Sequence, residues 1–152
     1  MIPFLDLKRL NDRYRESILS ATSRVALSGW YILGQEGITF ERDFAAYTGT
    51  RHCVGVANGL EALTLTLKAW GLPPNSEVLV ASNAYIASVL AITQAGLVPV
   101  LVEPDPGTYN LDPAHLEAVI TTRTRAILPV HLYGRCCDMA PINAVAEQHG
   151  LR

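Results

Sequence analysis

The sequence has few charged residues and no excess of positive charge. Charged residues make up 17% of the 152 residues, and the net charge is −2. Such a chain lacks the basic surface that a nucleic-acid backbone requires. No apolar run approaches the ~18 residues that cross a bilayer, and the N-terminus lacks the pattern of a signal peptide. We therefore expect a cytoplasmic protein that binds neither nucleic acid nor membrane.

Cysteine is also scarce. The three cysteines are Cys53, Cys136 and Cys137. An odd number with two adjacent members argues against a disulfide framework. Cys136, Cys137 and His131 could in principle hold zinc, but their spacing matches no standard ligand pattern. We expect reduced thiols and no metal site.

The usual glycine-rich phosphate motifs are absent. The chain has neither the three-glycine dinucleotide fingerprint nor a Gly-Lys-Ser/Thr loop. Instead, a β-branched run over 53–57 is followed by Asn58-Gly59 and an apolar-periodic segment over 60–70, which predicts a strand, a tight turn and a helix. The amides at a helix start attract anions, and a glycine without Cβ allows close approach. The same pattern also fits a turn that binds nothing.

Beyond residue 50 the sequence predicts regular alternation of strands and helices. The predicted strands are 53–57, 77–81, 98–102 and 125–130, and the predicted helices are 60–70, 85–95, 113–121 and 138–149. This order indicates an α/β fold with three layers, in which helices cover both faces of a mostly parallel sheet.

The part before this alternation is predicted to be helical. Amphipathic helices are expected over 8–27 and 38–47, which divides the chain into a helical segment, 1–50, and the first part of an α/β domain, 51–152. A further strand is expected where the sequence stops, so we expect the chain to be the first part of a longer protein.

Polar segments follow three of the predicted strands. They are Asn58–Glu61, Ser82–Tyr85 and His131–Gly134. Ligands of open α/β folds bind outside the carboxyl ends of strands. An anion site, an aromatic ring and a His/Tyr pair gathered there would suit a flat, phosphorylated cofactor. From the residues alone, however, the commoner role for Tyr85 is that of a core aromatic residue under a helix.

Four motifs in register carry a family resemblance. Gly29–Gly34, Asn58–Leu63, Tyr85–Ala87 and Val130–Gly134 resemble the DegT-type sugar aminotransferases. These are pyridoxal-phosphate enzymes with the aspartate aminotransferase fold, so the resemblance implies the large domain of that fold, here incomplete. It covers nearly all of the chain, and Gly59-Leu60-Glu61 is most similar to the branch that aminates nucleotide-linked 3-keto-6-deoxyhexoses.

The resemblance implies roles for several residues. The amides of Leu60 and Glu61, after Gly59, match those that hold the cofactor phosphate. Tyr85 matches the aromatic residue that stacks on the pyridine ring. His131 lies in a family signature, as a cofactor contact or as a packing residue.

The loop after the first helix is also part of the resemblance. Trp30 and Tyr31 match a family loop that lies near a subunit interface and the sugar nucleotide. The alternative is a simple hydrophobic staple between two helices.

Two residues that the family chemistry needs have no counterpart in the sequence. These are the aspartate that pairs with the pyridine nitrogen and the lysine that forms the Schiff base. Lys8 and Lys68 do not match the position of that lysine. We therefore assign no catalytic residue, and we expect this chain alone to be inactive.

For the full-length protein the resemblance implies transamination of a nucleotide-linked keto-deoxysugar, with glutamate as amino donor, in a homodimer. Three alternatives stay open at this point. The protein could be a sugar dehydratase of the same family, with histidine in place of the lysine. It could be a non-catalytic nucleotide-binding module, or a degenerate fragment that only associates with other subunits.

Overall fold

A computed structural model describes residues 4–152, which divide into two units. The first unit ends at Gly55, and the second comprises Val56–Arg152. Within residues 4–152, every helix is too short or too polar to traverse a bilayer.

The first unit is helical. Its helices are α1 (Leu7–Asn11), α2 (Arg15–Ser28) and α3 (Gln35–Thr48). A 3₁₀ turn over Asp12–Tyr14 separates α1 from α2, so the predicted helix 8–27 is interrupted once. Gly29 and Gly49 end α2 and α3 with left-handed φ values of 66° and 71°, which side chains other than glycine adopt at a cost.

The second unit is built from helices and strands in alternation. Its helices are α4 (Gly59–Ala69), α5 (Ile86–Gln94), α6 (Leu116–Val119) and α7 (Met139–His149). Its strands are β1 (Glu77–Ala81), β2 (Val98–Val102) and β3 (Thr124–Leu128). Short 3₁₀ turns cover Pro113–His115 and Leu132–Gly134.

The three strands form a parallel sheet in the order β2-β1-β3. All five residues of the central strand β1 are buried. Leu79 packs with residues of α6 and α7 on one face, whereas Val78 and Val80 pack with residues of α4 and α5 on the other. The predicted α/β fold with three layers is therefore confirmed.

The predicted strand 53–57 is wrong. In the described residues this segment pairs with no strand, and two of its backbone amides donate to carboxylates instead. The Gly55 amide donates to Glu41 Oε1 at 2.6 Å, and the Ala57 amide donates to Glu61 Oε2 at 2.8 Å. β-branched residues favour a strand only when a neighbouring strand accepts the ladder hydrogen bonds.

A buried carboxylate fixes the register at the amino end of the sheet. Glu77, at the start of β1, is 3% exposed and accepts from the hydroxyls of Thr121 and Thr124 and from the guanidinium of Arg123. The Thr121 hydrogen bond is the main cause that holds the pKa of Glu77 below its ordinary value, despite the opposing effect of burial. The register between β1 and β3 shifts at this residue, where the pairing irregularity begins.

We expect this network to make the fold sensitive to acid. The pKa of Glu77 is lower in the folded than in the unfolded state. The ionised carboxylate therefore contributes fully to the free energy of unfolding above the unfolded pKa, about 4.3, and this contribution is lost as pH falls through the lower folded pKa. Glu77→Gln should flatten the dependence of unfolding free energy on pH below about 4.3, as measured by urea denaturation. The exposed carboxylate variant Glu147→Gln is the control, and equal pH slopes for all three proteins would contradict this role of Glu77.

Candidate functional site

The strand order creates a crevice at the carboxyl ends of β1 and β3. From β1 the chain passes through α5 to β2 on one side, and then returns through α6 to β3 on the other side. Open α/β sheets bind ligands at such a reversal of direction. The two segments that leave β1 and β3 there are Ser82–Tyr85 and His131–Gly134, both predicted as site segments.

The start of α4 is held by a reciprocal cap. Asn58 Oδ1 accepts from the Glu61 amide at 3.0 Å, and the Glu61 carboxylate accepts from the Ala57 amide. This resembles a capping box shifted by one residue. Of the two amides predicted to hold phosphate, that of Glu61 therefore already has an acceptor, whereas residues 4–152 offer none to the amide of Leu60.

Gly59 leaves open space at this helix start. It is the first helical residue, and its φ lies outside the left-handed region. A Cβ built on Gly59 would have no atom within 4 Å. The glycine is therefore required neither by backbone conformation nor by a neighbour in this chain, and the space beside it can admit an anion.

Tyr85 lies on the surface, at the N-cap of α5. The residue is 75% exposed, and its side chain makes no capping hydrogen bond. Within residues 4–152, Tyr85 is therefore not part of the hydrophobic core. Residues at the starts of both helices, Leu60 for α4 and Ala84 for α5, pack on the same hydrophobic cluster, so both helices cover the same face of the sheet.

His131 has a structural hydrogen bond. Its Nδ1 accepts from the Cys137 amide at 3.1 Å, which makes Nε2 the protonated nitrogen of the neutral ring. The Cys137 thiol donates to the Val130 carbonyl at 3.2 Å, and burial raises the pKa of this thiol. The imidazole is exposed, so Nε2 remains available to a ligand.

Trp30 and Tyr31 belong to the first unit, where they line a cleft of about 280 Å³ together with residues of α2 and α3. Trp30 Nε1 donates to the Ile32 carbonyl at 2.7 Å, and both aromatic rings are exposed. The rings are not buried between helices, which is what a hydrophobic staple would require.

Two asparagines that the sequence did not single out connect the loops of the crevice. Asn83 Nδ2 donates to the Tyr109 carbonyl at 2.9 Å. Asn110, 3% exposed, donates to the Arg135 carbonyl at 3.0 Å and accepts from the Leu132 amide at 3.2 Å. An asparagine in a loop is typical of turns, so no sequence signal distinguishes these two from ordinary turn residues.

The second unit offers no lysine at this crevice. Lys8 forms an ion pair with Asp12 at 2.8 Å in the first unit. Lys68 lies in the last turn of α4, about 14 Å along the helix axis from Gly59. The crevice of the second unit therefore has an open helix start and an exposed aromatic ring, without a lysine.

Comparison with known proteins finds one family along almost the whole chain. Residues 12–152 match the model of the DegT/DnrJ/EryC1/StrS aminotransferase family. A dTDP-3-amino-3,6-dideoxy-alpha-D-galactopyranose transaminase from Aneurinibacillus thermoaerophilus is 56% identical over 152 residues, which are all of this chain and 42% of the relative. A dTDP-3-amino-3,4,6-trideoxy-alpha-D-glucose transaminase from Streptomyces venezuelae is 49% identical over 150 residues, covering 99% of this chain and 40% of the relative.

Solved structures agree with these sequence matches. DesV from S. venezuelae superimposes with a TM-score of 0.94 at 48% identity, over 99% of this chain and 41% of that chain. NtdA from Bacillus subtilis, solved with bound cofactor PMP, gives a TM-score of 0.93 at 34% identity, over 99% of this chain and 35% of that chain. The chain thus spans about two fifths of the length of the curated relatives that it matches.

The open space at Gly59 yields a prediction for the protein without cofactor. Gly59→Ala should leave its melting temperature unchanged or raise it slightly, because Ala favours a helical position over Gly by about 0.5–1 kcal/mol and the added methyl meets no atom. Differential scanning calorimetry of the apo-protein measures this.

Gly150→Ala is the matched control. Gly150 ends α7 with a φ of 63°, so a side chain there strains the backbone and should lower the melting temperature. If Gly59→Ala destabilises the apo-protein as much as Gly150→Ala, then Gly59 serves the fold and is not a site glycine.

Proposed function

The chain belongs to the DegT/DnrJ/EryC1/StrS aminotransferase family, and we propose that the complete protein transfers an amino group to a keto-sugar linked to a nucleotide. The family resemblance seen in the motifs is thereby confirmed. Relatives named as transaminases of dTDP-linked deoxysugars, at 56% and 49% identity, support this substrate class. We propose pyridoxal phosphate as the cofactor, supported by the family and by the NtdA structure with bound PMP.

One observation carries the assignment of the site. The start of α4 beside Gly59 is open, and the exposed ring of Tyr85 lies at the start of α5 on the same face of the sheet. The positive end of a helix dipole and a free amide favour a phosphate group. An exposed aromatic face suits a flat heteroaromatic ring. These residues fit the proposed cofactor.

In this proposal the chain supplies binding and orientation. The Leu60 amide would donate to the phosphate, and Asn58 and Glu61 hold the start of α4 so that this amide keeps its direction. The exposed Tyr85 ring would stack on the cofactor ring and shield it from water. When bound, the cofactor supplies an electron sink that stabilises a developing carbanion.

His131 has a secondary part in the proposal. With Nδ1 accepting from the Cys137 amide, Nε2–H is oriented to donate to an acceptor in the crevice. Its role is to position the cofactor or the sugar. Lys68, the lysine of the second unit, lies in the last turn of α4 and is not placed to offer an amine at this site.

For the remaining partners we propose glutamate as the amino donor and a homodimer as the assembly. The first unit supports a homodimer, since within residues 4–55 only Ala45 is buried. Large apolar side chains that stay exposed in a helical unit mark an association surface. We propose that Trp30 and Tyr31 lie on this surface and approach the sugar nucleotide.

The function is tested directly with the complete protein. Incubated with pyridoxal phosphate, glutamate and a dTDP-linked 3-keto-6-deoxyhexose, it should yield 2-oxoglutarate and an amino sugar in equal amounts, as measured by mass spectrometry. Formation of a dehydrated sugar without transfer of nitrogen would contradict the proposal.

Tyr85 tests the cofactor site. Tyr85→Ala should weaken cofactor affinity about ten-fold, while Tyr85→Phe should retain most of it, because stacking uses the ring face and contributes about 0.5–1.5 kcal/mol beyond burial. Equilibrium dialysis against pyridoxal phosphate measures both, with Trp70→Ala, an exposed aromatic residue at the end of α4, as control. Equal losses for Phe and Ala would show that the hydroxyl matters and that stacking is the wrong account.

A further inference from the structure

Asn110 is a buried polar residue that holds another loop at two points. It is 3% exposed, and both ends of its side-chain amide are occupied. Its Oδ1 accepts from the Leu132 amide at 3.2 Å, and its Nδ2 donates to the Arg135 carbonyl at 3.0 Å. Because a buried amide that loses a partner is costly, these two hydrogen bonds favour one arrangement of the segment 132–135.

The backbone of Asn110 is itself anchored. Its amide donates to Thr108 Oγ1 at 3.3 Å, and its carbonyl accepts from the Asp105 amide at 2.9 Å. The next residue, Leu111, is 2% exposed and belongs to the hydrophobic cluster on one face of the sheet. The side chain of Asn110 therefore contacts the segment 132–135 from a position that the core fixes.

The segment that Asn110 holds contains a strained turn. Tyr133 has a φ of 51° and Gly134 a φ of 84°, so two successive residues are left-handed, which is unfavourable for a bulky residue such as tyrosine. Such conformations persist only where the surrounding structure enforces them, and they cluster at functional sites. Tyr133 is fully exposed, so packing in the core does not enforce its conformation. The two hydrogen bonds of Asn110, one on each side of Tyr133, do so.

His131 and the amide that orients its ring lie on either side of this segment. The imidazole Nδ1 accepts from the Cys137 amide at 3.1 Å, and the His131 carbonyl accepts from the Gly134 amide at 3.1 Å. A shift of the strained turn would therefore displace the imidazole relative to the Cys137 amide. The direction of Nε2–H in the crevice depends in this way on the contacts of Asn110.

We propose that Asn110 is a positioning residue for the reaction. By holding the strained turn in one conformation, it keeps Nδ1 of His131 on the Cys137 amide and directs Nε2–H to the ligand in the crevice. Asn110 acts only through His131, because its own side chain is buried and both polar ends are occupied. The inference rests on the proposed function, in which that ligand is the cofactor or the keto-sugar.

A double-mutant cycle in the complete protein tests whether Asn110 acts through His131. His131→Asn removes Nε2 but keeps an acceptor in the place of Nδ1, so the Cys137 amide stays paired. Asn110→Ala removes both contacts to the strained turn. For each single variant and for the double variant, equilibrium dialysis of the apo-protein gives Kd for pyridoxal phosphate. Steady-state kinetics of the loaded protein give kcat/KM for a dTDP-linked 3-keto-6-deoxyhexose.

His131→Asn should weaken cofactor binding or kcat/KM, and Asn110→Ala should weaken the same quantity about two- to ten-fold, as expected for the loss of one hydrogen bond to the ligand. In the His131→Asn background, Asn110→Ala should have no further effect on that quantity, because the donor that it directs is already absent. The melting temperature should instead fall by a similar amount in both backgrounds.

Asn83→Ala is the matched control. It removes a side-chain amide that donates to the Tyr109 carbonyl at 2.9 Å, in the same loop as Asn110 but without contact to the segment 132–135. Its effect should add to that of His131→Asn. If Asn110→Ala does not fold, Asn110→Asp replaces it, since the carboxylate still accepts from the Leu132 amide but cannot donate to a carbonyl. The same absence of a further effect is expected.

The outcomes separate this role from the function itself. If Asn110→Ala weakens binding or kcat/KM by the same factor in both backgrounds, Asn110 serves the fold alone and the proposal is overturned, while transamination by the unaltered protein leaves the function standing. If either His131→Asn or Asn110→Ala leaves both quantities unchanged, the proposal also fails. Coupling in Kd for pyridoxal phosphate, in a protein that does not transaminate, would support the role of Asn110 and reject the proposed function.

Discussion

Burial of β1 on both faces is the constraint on which the second unit depends. A strand with all five residues buried must be covered by helices above and below, and it must be paired on both edges. The chain meets this requirement by running to β2 through α5 and returning to β3 through α6. That reversal opens the crevice at the carboxyl ends of β1 and β3. The location of the candidate site is thus a consequence of how the core is covered.

The residues of the site illustrate how a rigid scaffold supports an exposed surface. Asn58 and Glu61 satisfy donors at the start of α4, while the Leu60 amide stays open beside a glycine without neighbours. Asn110 is buried and joins two loops through both ends of its side-chain amide. The groups that would meet a ligand are therefore exposed, and those that hold them are capped or buried. Such pre-organisation reduces the entropy that binding must overcome.

Part of this architecture could be predicted from the sequence. The strands 77–81 and 98–102 were predicted with their observed bounds, because apolar runs between Pro, Asn and Gly turns are typical of buried parallel strands. The segment 53–57 also contains β-branched residues, but no strand of the described residues pairs with it, so a strand prediction from local sequence was wrong there. The connections of Asn110 depend on contacts between residues more than 20 positions apart. Periodicity and spacing carry no information on such contacts.

The central claim is that the start of α4 holds the phosphate of the cofactor. A crystal structure of the complete protein with pyridoxal phosphate tests it most directly, through the distance from the Leu60 amide nitrogen to the nearest phosphate oxygen. We predict a distance of about 2.7–3.2 Å, with the phosphate in the space beside Gly59. A phosphate bound by other residues, with the Leu60 amide still free, would contradict the account.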